Sequence, residues 1–247
     1  MQQLVSKIGG RMARFGFRQI DYRDLAMFLQ DGEIRSKNHL HAQACHQTSH
    51  ANLVQMRGEP VFTLPHGGVV NDYVALYFSP VTGFAYSVHK GKTNVIAPDG
   101  RDLGVSSAAS RIFLVVNVAE VVASGLQVSF SNSALNKQAP QPVVIDDYGR
   151  LPTHVNWALF DEAPLVCAIP EIGYAGVHGW CQDKDSPPKY QVRSSSRMAE
   201  LLVKDALPVD LIACIVVPSE AIFQAVSAVA HQYGFRGQIV KKSGCFV

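Results

Sequence analysis

Fixed charge is scarce in this chain, and so are the residues that would staple a fold covalently. Only 17% of the 247 residues are Asp, Glu, Lys or Arg, and the 22 basic and 20 acidic side chains nearly cancel at +2. Global charge therefore does not draw the protein to nucleic acid or membrane, and any anionic partner has to be held by a local patch. The five cysteines, Cys45, Cys167, Cys181, Cys214 and Cys245, are scattered and contain no Cys-x-x-Cys pair. That argues against a disulfide framework or a zinc ribbon and fits a reducing cytoplasm. No run approaches the ~20 apolar residues of a membrane span. Lys7, Arg11, Arg14 and Arg18 are not followed by the apolar stretch of a signal peptide, so a soluble, unprocessed chain is expected. No G-x-G-x-x-G follows a strand and opens a helix, and Gly67-Gly68 is not such a fingerprint.

What the chain does have is enough apolar material, 47% of its residues, for one sizeable core, and one domain over 1–247 is expected. Tyr22 to Asp31 has helical apolar spacing and is followed by Gly32 where a left-handed cap residue belongs. Val69 to Phe78 and Phe84 to Val88 read as two strands joined by the turn Ser79-Pro80-Val81-Thr82-Gly83, and the core is expected to begin there. Arg111 to Val116 and Leu126 to Phe130 read as strands on either side of a short helix, Val118 to Ala123, with Val143 to Ile145 as an edge. Glu200 to Val203, Leu211 to Val217 and Gln238 to Val240 also read as strands. Ser219 is placed to cap a helix over Glu220 to Tyr233, which Gly234 stops. Helices and strands do not alternate regularly, so the class is α+β, not doubly wound α/β.

Two connections are unusual. Glu33 to Thr63 loses its periodicity and fills with His, Gln, Asn and Ser, which suggests a binding role for so long a segment. Within it His41, Cys45, His46 and His50 match no common zinc spacing, and no metal is expected. Asp183 to Ser196, with Pro187-Pro188, Lys189, Tyr190 and Arg193, has loop composition and leads into Arg197-Met198-Ala199-Glu200-Leu201-Leu202-Val203. There Glu200 heads an otherwise apolar strand, where a carboxylate must be paired or hydrogen-bonded to keep its charge. Such a group is a candidate for chemistry, although structural ion pairs perturb carboxylates too.

The block Gly67-Gly68-Val69-Val70-Asn71-Asp72-Tyr73-Val74-Ala75-Leu76-Tyr77-Phe78, the aromatic turn through Tyr86 and the strand Ala199-Glu200-Leu201-Leu202-Val203 together resemble the DarT family of toxin ADP-ribosyltransferases. The resemblance runs from about Phe17 to Val217. It implies a single-domain ADP-ribosyltransferase-like fold with a central split mixed and antiparallel sheet flanked by short helices. NAD would be the co-substrate, single-stranded DNA the acceptor and a macrodomain antitoxin the partner. The family's catalytic glutamate falls on Glu200 and its catalytic arginine on Arg57. Arg18, in Phe17-Arg18-Gln19-Ile20-Asp21, stands where relatives often carry a His that anchors the adenosine half of NAD, and with Ile20, Tyr77 and Arg57 completes the expected cofactor set. Residues 33–63 would be the NAD loop and 183–197 the substrate loop.

In that substrate loop Lys189, Arg193 and Arg197 would neutralise phosphates and Tyr190 would stack on an unpaired base. Met198, two places before the glutamate, occupies a position that often helps choose the acceptor but offers no strong hydrogen bond. Two departures concern the target. Pro80-Val81-Thr82-Gly83-Phe84-Ala85-Tyr86 replaces a family turn that carries an arginine, and Ser131-Asn132-Ser133 replaces a Thr-Asp pair. An RNA or protein acceptor, or a nucleic-acid-binding module without turnover, are the rival readings.

Overall fold

The computed structural model describes residues 13–48, 51–136, 141–179 and 192–246. Its strands are β1 (Phe15–Asp21), β2 (Glu33–Arg35), β3 (Tyr73–Tyr77), β4 (Asn94–Ile96), β5 (Asp102–Val105), β6 (Arg111–Asn117), β7 (Val128–Ser131), β8 (Val144–Ile145), β9 (Leu165–Val166), β10 (Val177–His178), β11 (Glu200–Lys204), β12 (Ala206–Pro208), β13 (Ile212–Val217) and β14 (Gln238–Lys241). The helices are α1 (Leu25–Asp31), α2 (Ala51–Arg57), α3 (Gly83–His89), α4 (Val118–Ala123), α5 (Leu151–His154), α6 (Ala158–Asp161), α7 (Arg193–Ser196) and α8 (Glu220–Gln232). Among the described residues eight strands join one sheet in the order β14-β13-β6-β1-β3-β11-β7-β8, and β2–β12, β4–β5 and β9–β10 form small ribbons beside it.

The sheet is mixed, because β13 and β14 run parallel while the other neighbours are antiparallel. It is also nearly two sheets. β1 is laddered to β6 along its whole length, from Phe15↔Asn117 to Asp21↔Arg111, and β3 to β11 from Tyr77↔Glu200 to Tyr73↔Lys204. Between the two halves β1 meets β3 at the single pair Phe17↔Tyr77. Beyond that pair the strands part, and their unpaired edges face a cleft.

Gly16 is what allows the halves to meet at all. A Cβ on this residue would stand 3.1 Å from Val116 Cγ2, 3.2 Å from Leu76 Cβ and 3.3 Å from Leu201 Cδ2, side chains from both halves. The core continues from this contact through Phe17, Ile112, Leu114, Leu201 and Ile215, all buried, with the rings of Phe17 and Phe113 edge to face at 6.2 Å. α8 covers the β13–β14 side with Val226 and Ala230, and Ser219 caps it as the sequence indicates, its Oγ accepting from the Ile222 N–H.

Three elements differ from the sequence reading. The core begins at β1, not at Val69; the apolar alternation of Phe15 and Phe17 is lost at Gln19 and changes phase at Ile20, which leaves too short a pattern to mark a central strand. Residues 33–63 contain the short strand β2 and the helix α2. Phe84 to Val88 is helical, not extended. Thr82 Oγ1 caps α3 by accepting from the Ala85 N–H at 3.1 Å, and Ala85 and Val88 turn one face inward, so capping and burial override the strand propensity of Phe, Tyr and Val.

Gly16→Val should destabilise the protein by about 1–3 kcal/mol by overpacking the contact between the sheet halves. Denaturant unfolding with an unchanged midpoint would remove this account of the glycine.

Candidate active site

Glu200 opens β11 with its Cα in register with Tyr77, so both side chains stand on the same face of the sheet, at the mouth of the cleft. The glutamate is 1% exposed. Its carboxylate is held by Arg57, the last residue of α2, through two parallel bonds: Nη1 donates to Oε1 at 2.9 Å and Nη2 to Oε2 at 2.7 Å. This fork-on-carboxylate geometry is the strongest form of side-chain ion pair. Burial opposes the charge on Arg57, yet the attraction and hydrogen bonds of Glu200 outweigh it and raise the guanidinium pKa. Burial, and then the nearby Glu200 charge, likewise raise the Tyr77 phenol, which therefore stays neutral.

The blocks singled out in the sequence are what hold this pair in place. Asn71 Nδ2 donates to the Val54 carbonyl and so fixes the end of α2 that carries Arg57. Asp72 Oδ2 accepts from the Val69 N–H, and its Oδ1 accepts from Asn38 Nδ2 at the start of the long 36–48 segment. Gly68 is required at that turn: its φ is +78°, and a Cβ would fall 2.2 Å from Asp72 Oδ2. Beneath Glu200, its own backbone N–H donates to the buried Ser131 Oγ at 2.8 Å, which supplies the hydrogen-bonding capacity of the Ser131-Asn132-Ser133 segment.

A cavity of about 560 Å³ fills the cleft where β1 and β3 part. That volume lies within the usual range of ligand sites, roughly 300–1,000 Å³. Glu200, Tyr77, Phe84 and Met198 line one part of it, and Arg57, Arg18, Cys45, His46 and Arg111 also border it. The rings of Tyr77 and Phe84 lie 6.4 Å apart. Arg18 Nη1 reaches across the split to the Ala75 carbonyl at 3.0 Å, and its pKa is lowered, chiefly by burial. His46 is held by Asp24, which accepts from its backbone N–H at 3.0 Å and lies 2.6 Å from its Nδ1. The neighbouring Cys45 thiol is pushed up to about 12 by burial and by Asp24, so it carries no thiolate at neutral pH.

Thus Glu200, Arg57, Arg18, Tyr77 and Met198 are brought to one cavity. Ile20 is not: it is 6% exposed and packs into the hydrophobic core. Arg193 and Arg197 are turned inward and are not presented to phosphates on the substrate loop that the resemblance implied. They are 1% and 0% exposed, Arg193 Nη2 donates to Glu162, and Arg197 donates to the His178 and Val81 carbonyls and to Ser79 Oγ. Their charges pin α7 and the turn that leads into β11, and so help place Glu200. Lys189 and Tyr190 lie outside the described residues. Among the described residues no group of His, Cys, Asp and Glu could hold a metal ion.

Residues 17–247 match the family model described as DarT, ssDNA thymidine ADP-ribosyltransferase. The chain belongs to the DarT family. Solved structures with the same fold include Thermus sp. 2.9 DarT in complex with ADP-ribosylated ssDNA, at 18% identity over 95% of this chain and 96% of that one, with a TM-score of 0.73. The same Thermus protein in complex with NAD+ aligns at 18% identity, 95% and 98% coverage and a TM-score of 0.70. Thermosipho africanus DarTG in complex with ADP-ribose aligns at 12% identity over 94% of this chain and 51% of that one, with a TM-score of 0.61. No curated protein sequence matches significantly. As a DarT-family member the chain is an NAD-dependent ADP-ribosyltransferase.

Ser131→Ala should cost about 1–3 kcal/mol, because it strands the buried Glu200 N–H without an acceptor. It should also lower kcat more than it raises KM for NAD. Ser131→Thr should restore both, and an alanine variant with wild-type stability and kcat would show that the hydroxyl does not support the glutamate.

Proposed function

We propose that this protein transfers ADP-ribose from NAD to thymine in single-stranded DNA and releases nicotinamide, with Glu200 carrying the chemistry and Arg57 placing the dinucleotide. The observation that carries this reading is the bidentate Arg57–Glu200 pair in a cavity of dinucleotide size, in a chain of the DarT family. The residues suit NAD. Two cationic forks, Arg57 and Arg18, offer binding to a pyrophosphate, and the Tyr77 and Phe84 rings offer faces to a planar nicotinamide.

In the chemical step the bond between the ribose anomeric carbon and the nicotinamide nitrogen breaks, and its electron pair leaves with neutral nicotinamide. Positive charge builds on the sugar, and the Glu200 carboxylate stabilises it. The thymine nitrogen then bonds to the anomeric carbon and loses its proton, for which Glu200 is the acceptor within reach, before the proton passes to solvent. Each Glu200 oxygen accepts one bond from Arg57 in the structure, and in this mechanism the pair loosens so that the carboxylate turns to the sugar. The dinucleotide pyrophosphate supplies the competing anion for Arg57, which makes NAD binding the event that frees the carboxylate. A single strand suits the acceptor role because an unpaired base exposes the ring nitrogen at the cost of only a few kcal/mol.

The reading extends to a toxin acting in the cytoplasm, held in check by a macrodomain antitoxin, with residues 33–63 as the NAD loop and 183–197 as the substrate segment of a single domain. The fold shared with Thermosipho africanus DarTG supports the pairing with an antitoxin. No helix among the described residues is long and apolar enough to cross a membrane.

Glu200→Gln keeps the shape and removes the charge, and should reduce both nicotinamide release and oligonucleotide modification by about 10³-fold. Chromatography of nicotinamide and mass spectrometry of a thymidine-containing oligonucleotide, beside one without thymidine, measure both. Activity within tenfold of wild type, or equal labelling of the oligonucleotide without thymidine, would sink the assignment.

A further inference from the structure

The cavity wall formed by the β1–β6 edge contains a polar cluster that the reaction as described leaves unused. Arg111, the first residue of β6, is 3% exposed and borders the cavity, yet its Nε and Nη1 are buried with no hydrogen-bond partner among the described residues. Asp21 pairs with it in charge, but the hydrogen bonds of the acids around it go to other groups. Asp21, 3.7 Å from Arg111 Nη1, accepts from Arg23 Nε at 2.7 Å and Arg23 Nη2 at 2.8 Å. Asp24 is engaged by the backbone and ring of His46. Burial accordingly lowers the Arg111 pKa to about 10, which still leaves it charged at neutral pH.

Three neighbours on the same cavity share this condition: Arg18 Nε, Gln19 Oε1 and Ser36 Oγ are all buried without hydrogen-bond partners among the described residues. Such groups are destabilising when left unmet, and more so when charged, so a cluster of them on one wall points to a ligand that completes them. The set is chemically mixed. A guanidinium fork and a hydroxyl suit a phosphate, and a carboxamide oxygen suits a sugar hydroxyl. A nucleotide carries both.

We propose that Arg111, with Gln19 and Ser36, forms a second phosphate-and-ribose subsite that holds a nucleotide half of the NAD molecule. This rests on the NAD reading above. Arg111 then shares the dinucleotide phosphates with Arg57 and Arg18, and Gln19 and Ser36 fix the sugar beside them. The binding energy gathered at this wall helps draw Arg57 off Glu200.

Calorimetric titration of the full chain with ADP-ribose, AMP, adenosine and a short oligothymidine tests the assignment. Arg111→Gln should weaken ADP-ribose and AMP by about 10–100-fold, the scale of hydrogen bonds to a charged group, and leave adenosine and oligothymidine near their wild-type affinities. KM for NAD should rise by a larger factor than kcat falls. Arg111→Lys, which keeps the charge beside Asp21 but loses the fork, should give a smaller loss of the same kind, and Gln19→Leu should weaken ADP-ribose more than free phosphate. These two variants carry the test if Arg111→Gln does not fold. Unchanged ADP-ribose and AMP affinity in folded Arg111 variants would reduce Arg111 to a counter-ion for Asp21 and Asp24. Loss confined to oligothymidine would assign the wall to the DNA strand and overturn the proposal. Wild-type protein that binds neither NAD nor ADP-ribose would instead sink the NAD reading itself.

Discussion

The two-bond pair between Arg57 and Glu200 joins residues 143 positions apart and ties the end of α2 to the head of β11 beside the cleft. A carboxylate at 1% exposure is sustainable only with a cation and hydrogen bonds to hold its charge. That single requirement explains several otherwise unrelated features. α2 must end where Arg57 can reach β11, so Asn71 ties its last turn. The turn at Gly68 must adopt a left-handed backbone, so that Asp72 can bind both it and Asn38. β11 must begin without slack, so Ser131 meets the first N–H from below while Arg197 anchors the preceding turn.

The cavity follows from how the strands separate. With Gly16 in β1, the backbone approaches Leu76 and Leu201 closely enough for Phe17 to pair with Tyr77, and after that one rung β1 and β3 diverge. Strand edges exposed in this way leave backbone and side-chain polar groups without ladder partners, which is a cost in a structural sheet and an asset in a binding site. Arg18 covers part of the gap by donating to the Ala75 carbonyl. Four of the residues that keep unmet side-chain donors or acceptors among the described residues, Arg18, Gln19, Ser36 and Arg111, border the cavity that opens where the strands part.

Some of this was legible in the residues alone and some could not be. Glu200 stood out because a charge at the head of Leu-Leu-Val conflicts with burial unless it is compensated, and the partner's type, though not its position, follows from that conflict. Arg57 could be located only through the family resemblance, since nothing local distinguishes it from a surface arginine. Arg193 and Arg197 misled for the converse reason: their Pro- and Ser-rich surroundings have loop composition, but Arg193 turns inward to the Glu162 carboxylate and Arg197 to carbonyls and a hydroxyl, all remote in sequence. Arg111 carries the same local signal at the head of Ile112-Phe113-Leu114, but the sequence reading takes that segment only as a strand and passes over its leading charge. β1 and α3 were missed or misread because tertiary packing around Gly16 and the Thr82 cap decided them against local pattern.

The resting pair also bears on why the site keeps a buried carboxylate at all. Removing Arg57 from Glu200 without replacement would strand a buried charge, a penalty of about 3–5 kcal/mol, which would close the site to chemistry in the absence of a ligand. Exchange with a phosphate changes that balance, because the guanidinium keeps an anion and the carboxylate gains the developing positive charge of the sugar. In the proposed mechanism each charge is compensated before and during the reaction, only by a different partner, and the carboxylate leaves Arg57 when the dinucleotide supplies both the competing anion and the reacting sugar. A surface carboxylate would need no such exchange, but its charge would be screened by water at the moment when the transition state requires it most.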